Sequence, residues 1–387
     1  MRTVNYVDKG ASRYVVGEVT RFDQKNEMFC RPLWDPDKLD LGQKFYETEV
    51  MPREEPGRRL KDQALVNAAW RLENISAQGT LGGRMGLYAW EWDGKFDYPL
   101  VPSGLKISVD NPEIVTKEIK RVATFFGASL VGVCELDRRW LYSSAYLITP
   151  EGGKSVENEI PEECKHAIVI AVEMDYGAVA CSPANPASAA TGLGYSKMAF
   201  VAGLVAHHIR GLGYQAIPCG NDTACSIPIA IDAGLGELAR NGLLITPEFG
   251  PRVRLAKVFT DLPLVSDRPI EFGVSDFCRR CLKCAEKCPS QAIPEGEPTE
   301  KPFNMSNREG LLRWPVNAEE CLGFWVANET DCSNCIRVCP YNKPLSWLHD
   351  WVRWGTNNFR WTDRFFVWMD DLFGYGKMVD AKKFWDR

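Results

Sequence analysis

Cys278-Arg-Arg-Cys281-Leu-Lys-Cys284-Ala-Glu-Lys-Cys288-Pro289 decides how the rest of this 387-residue chain is read. Three cysteines fall at every third position, and a fourth follows after three more residues with proline behind it. The phrase returns at Cys332-Ser-Asn-Cys335-Ile-Arg-Val-Cys339-Pro340, with Cys321 upstream, so eight of the fourteen cysteines sit in two related blocks. A repeat of this kind is a ligand framework.

A cubic iron–sulfur cluster needs four converging thiolates; a tight loop with a cysteine at every third position supplies three, and the other block supplies the fourth. The double phrase is similar to the internal repeat of bacterial two-cluster ferredoxins. It assigns one 4Fe–4S cluster to Cys278, Cys281, Cys284 and Cys339, and the other to Cys288, Cys321, Cys332 and Cys335. Zinc also takes paired Cys-x-x-Cys ligands, but zinc motifs lack the third close cysteine and the Cys-Pro ending. Disulfide pairing is weaker still. The long gap between Cys321 and Cys332 marks an insertion expected to serve something beyond the cluster.

With 45% hydrophobic and 25% charged residues, the chain can bury a substantial core. A net charge of -5 with no basic cluster excludes an extended nucleic-acid surface. No apolar signal region follows Met1, and Arg58-Arg59 has no apolar tract behind it. The chain as given is expected in the cytoplasm, or exported and membrane-associated if a twin-arginine signal has been removed. Residues 176–196 are uncharged but carry Ser182, Pro183, Asn185, Pro186, Ser188 and Thr191. That stretch reads as a loop leading into a helix rather than a membrane span.

Four regions are expected: a capping region over 1–110, a catalytic domain over 111–272, the cluster domain over 273–345 and an aromatic tail over 346–387. The first carries one clear helix near Asp62 to Asn74, and its glycine-rich run Gly79 to Gly86 reads as irregular backbone over a ligand or the core. From Asn111 helices and apolar strands alternate. Helices are predicted at Pro112 to Phe126, Tyr195 to Arg210 and Asp232 to Asn241, and strands at Ser129 to Cys134, His166 to Glu173, Gln215 to Pro218 and Arg254 to Phe259. This order argues for a layered α/β or α+β domain with a ligand at the sheet edge. Met198, Val201, Val205 and Ile209 recur as a buried helical stripe, and Tyr195 falls on that face in the first turn. In the tail, Trp347, Trp351, Trp354, Trp361, Phe365, Phe366, Trp368 and Phe373 are expected to lie back over a hydrophobic surface; a membrane-surface helix is the other reading. The residues alone leave Tyr195 open as a packed aromatic, Asn221 as a turn residue and Arg254 as a strand-face charge. Cys30, Cys134, Cys164, Cys181, Cys219 and Cys225 read as free thiols.

The chain resembles the corrinoid- and iron–sulfur-dependent reductive dehalogenases. The resemblance is carried by Gly192-Leu-Gly-Tyr195-Ser-Lys-Met, Ala216-Ile-Pro-Cys-Gly-Asn221-Asp, Asp232 through Ile245, Phe249-Gly-Pro-Arg-Val-Arg254, Phe277 through Ile293, and Gly323-Phe-Trp325 through Pro340. It implies an α+β fold: a nitroreductase-like, cobalamin-binding core with a two-cluster ferredoxin-like insert. It implies a carbon-bound halogen replaced by hydrogen, with electrons reaching a buried cobalamin through the clusters. Tyr195 would then be the proton donor, supported by Asn221 and Arg254, with the guanidinium making the phenol more acidic. Thr191 and Trp325 become candidates for the substrate pocket, with plain packing as their other reading. His208-Ile-Arg-Gly211 has the tail of an Asp-x-His-x-x-Gly cobalt-ligand motif, but Ala206 stands at the Asp position. Base-off cobalamin without a protein histidine is therefore expected.

The expected partners are a small organohalide and a separate low-potential electron donor, either ferredoxin- or flavodoxin-like or membrane-bound. No nucleic acid is expected, and a homodimer is possible. The rival readings are an epoxyqueuosine reductase-like enzyme acting on tRNA and a non-catalytic corrinoid or electron-transfer protein. Against the first, Gly194-Tyr195 stands where that family places Asp-Tyr-His.

Overall fold

The computed structural model describes residues 4–76, 102, 104–149, 152–344, 349, 354–355 and 357–386. The glycine-rich run at 79–86 and Trp347 and Trp351 lie outside them. Its centre is a four-stranded antiparallel sheet of β1 (Leu130–Glu135), β2 (His166–Glu173), β3 (Ala216–Cys219) and β4 (Val253–Thr260), in the order β1-β2-β4-β3. Every pairing is antiparallel, so of the two layered classes the chain takes α+β. Alternate residues along the strands enter two separate cores. Val133, Ile168, Ile170, Val172, Ala256 and Val258 fill one face, while Cys134, Ala167, Val169, Ala171, Leu255 and Phe259 fill the other.

The helices that matter here are α1 (Leu60–Ser76), α2 (Pro112–Phe125), α3 (Asn185–Gly211), α4 (Ser226–Asp232), α5 (Val274–Arg280), α6 (Ala318–Asn328) and α7 (Asp363–Leu372). Asn111 caps α2 by accepting from the amides of Glu113 and Ile114. Helices α2 and α3 cover the first face of the sheet, and Met198, Val201, Val205 and Ile209 are all at most 1% exposed, as the periodicity predicts. By length and composition α3 could cross a membrane, but 72% of its apolar window is buried in the protein.

Two helix boundaries differ from the sequence expectation for identifiable reasons. Helix α3 begins ten residues before Tyr195, with Pro186 in its first turn. Its glycines are there for close approach: a Cβ on Gly192 would fall 2.4 Å from the Trp70 ring, and one on Gly194 would fall 2.8 Å from Arg254 Cγ. The expected helix from Asp232 to Asn241 does not form. Asp232 closes α4, Gly234 turns the chain at φ 74°, and a Cβ on Gly236 would fall 2.0 Å from the Ile245 carbonyl oxygen. The segment pairs instead as the short hairpin Glu237–Leu238 with Leu244–Ile245.

The aromatic tail is also oriented differently. Helix α7 docks by its acidic groups, while Trp361 (83% exposed), Phe365, Trp368 and Phe373 face outward. Asp370 is buried and pairs with both Lys283 and Lys343, Lys283 reaches Asp371 at 2.7 Å, and Arg280 donates to the buried Asp363 at 2.9 Å. Removing the shared anion from buried cations costs about 3–5 kcal/mol. Asp370→Ala should therefore lower stability by about that amount in denaturant unfolding. A loss below about 1 kcal/mol would mean that the exposed tail does not depend on this pair.

Candidate active site

Tyr195 leaves the middle of α3 and is held on both ring faces. Trp70 of α1 stacks on it at 5.1 Å between centroids with 23° between planes, and the Arg254 guanidinium carbon lies 5.1 Å from the ring centroid. Ser196 fixes the register of the two helices by donating to the Ala69 carbonyl at 2.6 Å and accepting from the Glu73 amide at 3.2 Å. This hydroxyl stands between the donor and acceptor of an i→i+4 pair in α1, so the two helices share one hydrogen-bond ladder at Tyr195.

Asn221, in the turn after β3, donates through Nδ2 to the Tyr195 hydroxyl at 2.9 Å and accepts from Ser226 Oγ at 2.7 Å. Lys257 of β4 continues the chain by donating to Ser226 Oγ at 2.8 Å and to the Gly220 carbonyl. Because Asn221 donates to the phenol oxygen, the phenol proton is left free to point into the cavity. The Arg254 guanidinium also donates to Thr191 Oγ1 at 3.2 Å, while its Nε is buried without a partner.

Tyr195, Asn221 and Arg254 all line one cavity of 470 Å³, shared with Glu27, Tyr142, Cys225, Arg308 and Arg313. No histidine is among its lining residues. Thr191 touches the site only through Arg254. Trp325 is not part of the lining and packs against Phe29 with centroids 5.8 Å apart.

The electrostatics correct one expectation. Burial raises the Tyr195 pKa, and neither the Arg254 charge nor the Asn221 hydrogen bond fully offsets it; Glu73 and Glu27 also push it upward. The phenol therefore stays protonated across neutral pH, which is the state a proton donor requires.

Burial likewise raises Glu27 to about 7 and Glu73 to about 8. Both folded values exceed those of an unfolded glutamate, so the native state holds extra protons in between. Stability is highest below about pH 4.3 on this account and is lost as pH rises through the folded values. The corrinoid-free chain should lose stability between pH 5.5 and 8.5 in urea titrations, and the double variant Glu27→Gln, Glu73→Gln should flatten that slope. An unchanged slope would assign the loss to other groups.

The eight paired-block cysteines come together as the repeat predicts. Cys278, Cys281, Cys284 and Cys339 are mutual electrostatic neighbours, as are Cys288, Cys321, Cys332 and Cys335. Cys335 also senses Cys339, so the two sets adjoin. Among the described residues no three His, Cys, Asp or Glu side chains converge on a single-ion site, whereas a cubane holds its thiolates farther apart than zinc does. Burial pushes the Cys281 and Cys321 thiols up to about 12, so cluster assembly must displace protons. Asp331, directly before Cys332, has Ser188, Thr191 and Arg254 as electrostatic neighbours and so joins the second set to the cavity.

The insertion is found where the spacing between Cys321 and Cys332 did not place it. The gap forms α6, but it is the segment before Cys321 that crosses to the cavity. Leu311 bridges Val15, Leu312 donates to the Tyr14 carbonyl at 2.8 Å, and Arg308, Leu311 and Arg313 join the lining.

Fold and site define a protein with two adjoining four-cysteine sets, one of them beside a cavity with a clamped phenol. Residues 277–342 match the family model of the 4Fe–4S double cluster binding domain. The tetrachloroethene reductive dehalogenase of Sulfurospirillum multivorans is 38% identical over 299 residues, covering 71% of this chain and 60% of that protein. That of Desulfitobacterium hafniense is 40% identical over 315 residues, covering 70% and 55%. The solved catabolic reductive dehalogenase NpRdhA superposes with a TM-score of 0.72 at 26% identity, over 97% of this chain and 49% of that one. In sequence and fold this chain is similar to these reductive dehalogenases, and it spans about half to three-fifths of their length.

Proposed function

We propose that the chain is a reductive dehalogenase that binds base-off cobalamin in the 470 Å³ cavity of a nitroreductase-like core. The observation that carries this is the convergence of Tyr195, Asn221 and Arg254 on a cavity beside which one of the two four-cysteine sets lies. The cavity fits a large amphipathic cofactor: its wall is mostly apolar, and Arg254, Arg308 and Arg313 each leave a buried Nε without a partner. Bound cobalamin supplies a strong low-potential reductant for breaking a carbon–halogen bond. Base-off cobalamin without a protein histidine ligand is part of this reading.

The chain's own residues do the rest. The two cysteine sets would hold the clusters that relay two electrons from a separate low-potential donor, Tyr195 Oη gives its proton to the carbon that loses halide, and halide leaves. The balance is R–X + 2e⁻ + H⁺ → R–H + X⁻. Asn221 holds the phenol oxygen, and Trp70 with Arg254 fixes the ring plane, so the proton is presented from one position. The mostly apolar wall disfavours water, which would otherwise compete as proton source and oxidant. A small organohalide is the substrate class. The four-region division, with the capping region contributing Glu27 and Trp70, is part of this reading, as are cytoplasmic folding and the option of a homodimer.

The test is anaerobic reconstitution with iron, sulfide and cobalamin, followed by halide release from a panel of haloorganics with a low-potential donor. Cobalt retention with halide release supports the reading; iron retention without any cobalt overturns it. Reduction of epoxyqueuosine within a modified tRNA, without halide release, would favour the tRNA-directed alternative.

A further inference from the structure

Arg308 and Arg313 are two cations in one cavity wall with no anion to meet them. Among the described residues neither has a carboxylate within ion-pair distance. Each has a buried Nε without a partner. They are also close enough to repel: the Arg313 pKa is lowered by burial and, in part, by the charge of Arg308. Arg308 is held over the Trp140 ring at 5.2 Å and spends its other nitrogens on the Thr20 and Arg139 carbonyls and, at 3.4 Å, on Cys225 Sγ. Among the described residues the Arg313 side chain makes one hydrogen bond, to the Arg308 carbonyl at 2.8 Å.

Two like charges held together in an apolar wall are costly unless a ligand brings the counter-charge. Among the described residues no carboxylate does so, and Cys225, beside both arginines, is itself held protonated by burial. Glu27 lines the same cavity, but its nearest cationic influence is Lys257 rather than either arginine. The strongest electrostatic neighbours of Tyr195 are Arg254, Glu73 and Glu27, and neither Arg308 nor Arg313 is among them.

The chain builds this feature deliberately in a mechanical sense. The segment carrying both arginines leaves the cluster lobe, bridges Val15 through Leu311 and pairs Thr299 with Arg313. Gly310 takes φ 75° at the crossing, where a Cβ would fall 2.2 Å from the Glu18 carbonyl oxygen, so only glycine permits the approach.

We infer that Arg308 and Arg313 form an anion seat for the phosphodiester in the nucleotide loop of the cofactor. The inference rests on the cobalamin reading above and extends it to one group of that molecule. A planar guanidinium pair suits phosphate oxygens, which accept several charge-assisted hydrogen bonds at once. The seat would therefore select complete corrinoids over truncated ones and fix which end of the molecule lies beneath the insert.

The test uses the full chain with its clusters reconstituted and corrinoid absent. Aquocobalamin and aquocyanocobinamide, which lacks the nucleotide loop and its phosphodiester, are titrated by absorbance and tryptophan quenching. Wild type should bind aquocobalamin more tightly. Arg313→Gln, whose side chain holds only one backbone oxygen, should weaken aquocobalamin by about 10- to 100-fold, the size expected for charge-assisted hydrogen bonds, and leave aquocyanocobinamide unchanged. Arg308→Gln should do the same, and Arg313→Lys should recover part of the loss. Millimolar inorganic phosphate should compete with aquocyanocobinamide in neither protein. Unchanged cobinamide binding shows that the variants are folded. Equal loss for both corrinoids, or loss for neither, would overturn the seat while leaving cobalamin binding intact. Wild type binding neither corrinoid would overturn the cobalamin reading itself, and the seat with it.

Discussion

Tyr195→Phe should reduce halide release by about 10²- to 10⁴-fold, the range for losing a positioned general acid, while leaving corrinoid and iron content unchanged. The substitution removes one oxygen. Phenylalanine keeps the stack on Trp70 and the face beneath Arg254, so neither the α1–α3 packing nor the cavity wall loses its support. What goes is the proton and the acceptor for Asn221. The raised pKa does not weaken this role, because the carbon that loses halide is far more basic than a phenolate, and a donor must above all be protonated when the bond breaks. A variant with wild-type turnover would transfer the proton to water or to another group of the cavity. Measuring kcat apart from KM separates this from substrate binding, since an interaction made only in the transition state lowers kcat.

The parts legible in the sequence were those whose meaning lies in local spacing. The cysteine blocks fix their own ligand sets, and the apolar run His166–Glu173 is the strand it reads as. Tyr195, Asn221 and Arg254 became candidates only through family resemblance, since each residue alone has an ordinary packing or turn explanation. The misread elements depend on partners distant in the chain. Gly192 and Gly194 looked like loop residues because the sequence does not show Trp70 and Arg254 pressed against them. The tail looked like a cover because its aromatics outnumber its acids, yet the buried lysines of the cluster lobe claim those acids. Glu27, Trp70, Arg308 and Arg313 carried no signal at all. Their roles arise where the N-terminal segment, α1 and the insert meet the cavity, and no local pattern encodes that meeting.

The second large effect distinguishes the two clusters. Cys332→Ala and Cys281→Ala should each remove one cluster, lowering iron from about eight to about four per chain. With a protein electron donor both should lose nearly all turnover, because electrons must pass both centres to reach the cavity. With a small diffusible reductant they should part. Cys332 follows Asp331, whose carboxyl faces Arg254 and Thr191, so its cluster set adjoins the reaction cavity. Cys281 belongs to the other set, against the buried Lys283–Asp370 pair, and Arg254 is not among its leading electrostatic neighbours. A diffusible reductant can feed the surviving inner cluster of Cys281→Ala directly and restore part of its halide release, whereas Cys332→Ala lacks the last centre on the route and should stay inactive. Equal rescue of both variants would mean that small reductants reach the cavity without the clusters. Rescue of Cys332→Ala alone would reverse the order of the two centres.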